Sequence, residues 1–132
     1  MEINKHMSLV SYGSIIEDFK SLAQIKNQIK QMKSGMVKQH RLDCYYFEKN
    51  PNCVINKMKE IGKLPLQSYI EVFIPSDNYP PHKDEGGTSY FIPIESGEFF
   101  IDGVNYPVIP FVLYGFDDGK LHNTNFPAIM LK

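Results

Sequence analysis

Apolar residues recur along this chain with two different periods. In the first half Ile15, Phe19, Leu22, Ile25, Ile29 and Met32 follow one another at spacings of 4, 3, 3, 4 and 3, which is one stripe on a helix. Ser14-Ile15-Ile16-Glu17 reads as a capping box, so the predicted helix spans residues 14–34. Lys26, Lys30 and Lys33 crowd its last turns, where the helix dipole favours cations, and Gly35 is the expected C-cap. A second, shorter helix is expected from Asn50-Pro51, with proline at the first helical position. Val54, Met58 and Ile61 form its stripe and Gly62 ends it. Residues 7–12 read as a short strand. Residues 41–48 read as extended, with Leu42, Cys44 and Tyr46 on one face.

From residue 67 onward short apolar runs alternate with Gly, Pro and Asp clusters. Strands are expected at 68–74, 89–94, 98–101, 105–108, 111–115, 121–126 and 128–131. The turns fall at Pro75–Pro81, Glu85-Gly86-Gly87, Glu95-Ser96-Gly97, Asp102-Gly103 and Asp117-Asp118-Gly119. Asp102-Gly103 is the clearest hairpin signal. Close-set strands of this kind make a sandwich or a barrel. The expected architecture is one domain, mainly β with N-terminal helices. In it residues 1–66 are a helical and mixed support and residues 67–132 a β core. The long helix is expected to lay its Ile15/Phe19/Leu22/Ile29 stripe on the outside of one sheet, whose outer face is otherwise uncovered.

Charge narrows the function classes. Fourteen basic residues against fifteen acidic ones leave no excess to hold nucleic acid. No apolar run approaches the roughly 20 residues of a membrane span. Residues 1–10 contain no signal-peptide core, so a cytoplasmic setting is expected, with Cys44 and Cys53 reduced and buried.

The chemistry concentrates in Tyr79-Pro80-Pro81-His82-Lys83-Asp84. His82 and Asp84 stand two apart, so in an extended segment both side chains point to the same side. His122 opens a later strand, 38 residues beyond Asp84. Two imidazoles and one carboxylate are the facial triad of non-haem Fe(II) oxygenases, which leaves three adjacent coordination positions open. His-x-Asp alone is a weak signal, equally met by a loop histidine hydrogen-bonded to a neighbouring carboxylate. Its place between two strands, with the second histidine on a later strand, favours the metal. Around it Asn123 and Thr124 read either as donors supporting the ligands or as ordinary strand residues. Asp117 and Asp118 read more simply as a turn than as metal ligands. Gly86-Gly87 reads equally as a flap or a bend, and His6 and His40 read as surface residues.

With these residues in place, residues 68–132 resemble the double-stranded β-helix, a jelly-roll barrel, of the Fe(II)/2-oxoglutarate-dependent dioxygenases, in particular the prolyl 4-hydroxylase branch. The resemblance implies Fe(II) held by His82, Asp84 and His122, with 2-oxoglutarate as co-substrate. It also implies a basic residue about ten positions past the distal histidine to pair with the far carboxylate of 2-oxoglutarate, and Lys132 meets that spacing. Tyr69 and Tyr90, on strands flanking the motif, are the candidate hydroxyl contacts to 2-oxoglutarate; barrel packing is the competing role for each. The implied activity is hydroxylation of a C–H bond in a small-molecule or peptide substrate. Two other readings share the β pattern. One is a cupin-type metalloprotein, an isomerase or a dioxygenase without 2-oxoglutarate; the other is a metal-binding barrel without catalysis.

Overall fold

The structure is a computed structural model that describes residues 8–63, 70–76 and 79–131. The chain runs through β1 (Leu9–Ser14), α1 (Phe19–Lys33), β2 (Gln39–Arg41), β3 (Cys44–Tyr46), α2 (Asn52–Glu60) and β4 (Ile70–Phe73). It continues through β5 (Thr88–Pro93), β6 (Gly97–Ile101), β7 (Val104–Val108), β8 (Val112–Asp117), β9 (His122–Thr124) and β10 (Ala128–Leu131). The strands form two antiparallel sheets. The larger has the order β1-β8-β5-β10-β4-β3-β2 and the smaller β7-β6-β9. Asp102 and Gly103, at φ 51 and 82, make the tight turn between β6 and β7. Positive φ at both central residues matches the twist of the flanking strands.

Alternation along the larger sheet sorts its side chains into two cores. Ile70, Val72, Tyr90, Ile92, Leu113, Ile129 and Leu131 point one way and pack with Ile25, Ile29, Met32, Val54 and Met58 of the helices. Phe91, Tyr114, Phe116 and Ala128 point the other way and meet Phe99, Ile101 and Val108 of the smaller sheet. The second core is an aromatic one, with Phe91 centred 4.6 Å from Phe99 and 5.4 Å from Tyr114. The helices therefore cover the outer face of the larger sheet, as the apolar stripe requires. The layout is mainly β with two helices.

Three sequence expectations change. The long helix starts at Phe19, not at Ser14, because Asp18 caps it by accepting from the Ser21 N–H at 2.8 Å. Ile15 is buried but lies in the link before the helix, and Phe19 is 89% exposed. The anchoring stripe is therefore Ile25, Ile29 and Met32, one turn later than expected. Leu42 leaves the predicted strand face to sit in the β2–β3 turn, 93% exposed, while Cys44 stays buried. Finally, residues 1–66 contribute more than support, since β1 and the β2–β3 hairpin extend the larger sheet at both edges. Cys44 and Cys53 are both buried free thiols, and burial pushes the Cys44 thiol up to about 12. No helix among the described residues is long and apolar enough to cross a membrane.

Candidate metal centre

His82 and His122 meet across a two-way backbone bridge. The His82 N–H donates to the His122 carbonyl and the His122 N–H to the His82 carbonyl, each at 2.9 Å. This pairing sets the two imidazoles side by side, with ring centroids 4.5 Å apart. Asp84 lies two residues further on, and its N–H donates to the Asp118 carbonyl at 2.8 Å. That contact turns the Asp84 carboxylate back between the rings. Its Oδ2 stands 3.4 Å from the His122 Nε2 and 3.8 Å from the His82 Nε2. One ligand atom from each of the three residues lies within 4.8 Å of the others.

The hydrogen bonds on the far sides of the rings decide which nitrogens are available. His122 Nδ1 contacts the Lys120 carbonyl at 2.8 Å, and His82 Nδ1 contacts the Pro80 carbonyl at 3.3 Å. A carbonyl only accepts, so in each ring Nδ1 carries a hydrogen, and Nε2 is the nitrogen that faces Asp84 and is placed to bind a metal. Metal-ligating histidines are held in the same manner. Ligands about 2.1 Å from one ion and at right angles stand roughly 3 Å apart. The His82 and Asp84 side chains are 36% and 44% exposed, so they have freedom to close that gap, while His122 is fixed and 4% exposed. Phe116 and Phe99 back the His122 ring at 4.8 and 6.2 Å, and they form a dry wall behind it.

Asp118 organises the approach to Asp84. It is 1% exposed, and its carboxylate accepts from the Gly86 N–H at 2.8 Å and from the Ser89 hydroxyl at 2.6 Å. Gly86 and Gly87 adopt φ 98 and 108, a conformation open to glycine, and the bend they make is pinned to Asp118. Asp117 ends β8 and pairs with Thr88, and Asp118 opens the turn that follows, where it is a structural carboxylate and not a surface one. Asn123 points away from the metal side and its amide donates to the Tyr79 carbonyl at 2.8 Å, which ties down the segment that carries His82.

The triad opens into a cavity of about 280 Å³ lined by Arg41, Glu71, Phe73, Tyr79, Ser89, Phe116, Thr124 and Met130, among others. Tyr90 is not among its walls. Ser89 lines the cavity, so the next residue on the strand faces the other way, and Tyr90 packs in the helix-side core against Tyr12 at 6.0 Å. That placement corrects the expected contact of Tyr90 with 2-oxoglutarate. Tyr69 and Lys132 lie outside the described residues. Arg41, Glu71 and Tyr79 were not singled out from the sequence. Glu71 carried a usable signal, as a lone charge inside the apolar run Tyr69-Ile70-Glu71-Val72-Phe73. Burial raises both the Glu71 carboxyl and the Tyr79 hydroxyl above their ordinary values.

Two antiparallel sheets, helices on one outer face and a His-x-Asp…His cluster at the mouth of a cavity can be set beside known structures. A crystal structure of a Pseudomonas putida prolyl-4-hydroxylase matches 96% of this chain and 91% of its own, with a TM-score of 0.52. The fold resembles that of a prolyl 4-hydroxylase. Sequence identity between the two is 11%, so the likeness is one of architecture. No family model matches the chain, and no curated protein sequence matches it.

Proposed function

We propose that this protein is an Fe(II)- and 2-oxoglutarate-dependent oxygenase that hydroxylates a C–H bond of a small-molecule or peptide substrate, on a double-stranded β-helix. One observation carries the reading: His82, Asp84 and His122 converge within 4.8 Å beside a cavity, with both imidazole Nε2 atoms turned to the carboxylate. The donor set suits Fe(II), since two imidazoles and one hard carboxylate bind it on one face and leave the other open. When bound, Fe(II) together with 2-oxoglutarate supplies the oxidation, in which O2 yields the hydroxylated product, succinate and CO2. The chain's own part is to hold, orient and keep dry. Lys120 and Pro80 carbonyls fix the two rings, Asp118 fixes the bend next to Asp84, and Phe116 excludes water behind His122. Lys132 is proposed as the partner of the far 2-oxoglutarate carboxylate, on its spacing from His122. A charge-assisted pair of that kind is worth about 2–5 kcal/mol when one partner is removed.

One feature of the cavity favours a second reading. Glu71 places another carboxylate in the same space, which opposes a dicarboxylate ligand and fits a metal-dependent enzyme that does not use 2-oxoglutarate. Anaerobic titration of the Fe(II)-loaded protein with 2-oxoglutarate separates the two. The first reading expects a weak visible charge-transfer band that saturates, and succinate release once O2 is admitted. Fe(II) binding without that band points to the second reading, and failure of Fe(II) to bind removes both.

A further inference from the structure

Glu71 has no place in the metal-binding scheme, yet it lines the cavity. It sits in the middle of β4, between Tyr46 of β3 and Met130 of β10. The residue is 5% exposed, and its Oε2 has no hydrogen-bond partner. A buried carboxylate oxygen with no donor is unfavourable unless a ligand supplies one. Among the described residues the cavity wall also holds the Arg41 guanidinium, whose charge favours the ionised form of Glu71. Its Nε is turned to Asp43 Oδ1 at 3.1 Å and Cys44 Sγ at 3.0 Å, and the guanidinium makes no hydrogen bond to Glu71 Oε2.

The rings beside Glu71 point to the ligand's chemistry. Phe73 and Tyr79 meet at 5.1 Å with planes 68° apart, and both line the same cavity. A carboxylate together with two aromatic rings is a set that recognises an organic cation, by charge-assisted hydrogen bonds and by the ring quadrupoles. Tyr79 in turn meets His82 edge-on at 5.5 Å, so this wall adjoins the metal centre.

We propose that Glu71, Phe73 and Tyr79 form a subsite for a protonated primary alkylamine, whose carbon chain runs from Glu71 toward His82. The amine is the substrate's anchor, free or as the side chain of a peptide lysine. The inference rests on reading the His82–Asp84–His122 cavity as the metal-bearing pocket. It does not require 2-oxoglutarate.

The test uses the full chain loaded with Zn(II), which is redox-inert, and measures binding by calorimetry. The probes are n-butylammonium, the uncharged isostere 1-butanol, pentanoate, and Nα-acetyl-lysine amide. Butylammonium should bind at least about tenfold more tightly than 1-butanol, the range expected for a hydrogen bond to a charged group. Pentanoate should bind least. Glu71→Gln should erase the ammonium preference and leave Zn(II) affinity unchanged. Tighter binding of the acetyl-lysine amide than of butylammonium assigns the amine to a peptide, and the reverse order assigns it to a free small molecule. A parent protein with no preference for the ammonium overturns the proposal, and so does a preference that survives Glu71→Gln. Should that variant fail to fold, the parent's ranking of the isosteres decides alone. 2-Oxoglutarate binding is read on separate samples, so its failure with the ammonium preference intact would count against the oxygenase reading and not against the subsite.

Discussion

Replacing Asp118 with alanine tests whether the bend beside the candidate metal ligand Asp84 is held from beneath. The carboxylate is 1% exposed and accepts from Ser89 Oγ at 2.6 Å and Gly86 N at 2.8 Å. Ser89 is 7% exposed, and its hydroxyl loses its acceptor. An unsatisfied buried hydroxyl costs about 1–3 kcal/mol. Gly86 is exposed, and its N–H exchanges Asp118 for water, a net loss of about 0.5–1.5 kcal/mol. Asp118→Ala should therefore destabilise the protein by about 2–4 kcal/mol, a large share of the roughly 5–15 kcal/mol available to a domain. For a chain of this size that corresponds to a fall in Tm of roughly 8–20 °C. The backbone contact from Asp84 to the Asp118 carbonyl survives the substitution. The bend between them loosens, and metal affinity should fall about 10–100-fold, as when a group supporting a ligand is lost. Urea denaturation of the metal-free protein gives the first number and competition with a chelator gives the second. Ser89→Ala combined with Asp118→Ala closes a double-mutant cycle, whose coupling should be about 0.5–3 kcal/mol. An Asp118→Ala protein with parental stability and parental metal affinity would refute the reasoning, and so would strictly additive single substitutions.

Other outcomes follow from the same geometry. Zn(II) or Co(II) at a hundredfold excess over Kd should stabilise the parent by about 2.7 kcal/mol in thermal melts, and His122→Ala should abolish that gain. Burial raises Glu71 above the ordinary 4.5, so the folded protein holds that proton to higher pH than the unfolded chain does. Stability from this group is complete below 4.5 and is lost as pH rises through the folded value, so Glu71→Gln should stabilise the ligand-free protein at neutral pH and not at pH 4. Parallel pH–Tm curves for parent and variant would contradict this. Ile25→Ala should cost about 2–5 kcal/mol because Ile25 is fully buried, whereas Phe19→Ala, at an 89% exposed position, should change stability by under about 0.5 kcal/mol. Chemical denaturation of both variants checks the order, and equal losses would move the helix stripe back to its predicted phase. Lys132→Ala should weaken 2-oxoglutarate binding roughly 30-fold or more, and unchanged affinity would remove that residue from the site.

Local chemistry in the sequence was enough to mark most elements. The Asp102-Gly103 turn, both helices and the strand 128–131 are set by periodicity and by residues that act on their immediate neighbours. The metal-binding candidates were legible too, because His-x-Asp with a later histidine is a donor set whose chemistry depends on residue type. Where the helix begins was not legible, since Ser14 and Asp18 both offer caps and packing chose the second. Nor was Tyr90's orientation. Alternation says that Ser89 and Tyr90 face opposite ways, but which face holds the cavity depends on which sheet closes over it. Tertiary structure alone pairs His82 with His122 across 40 residues, brings Arg41 in on the β2–β3 hairpin, and turns Asp118 from a turn residue into a buried support. Those placements come from strand pairings far apart in the chain. Such a pairing is decided by the whole sheet's burial and hydrogen bonding, and no short window of sequence contains it.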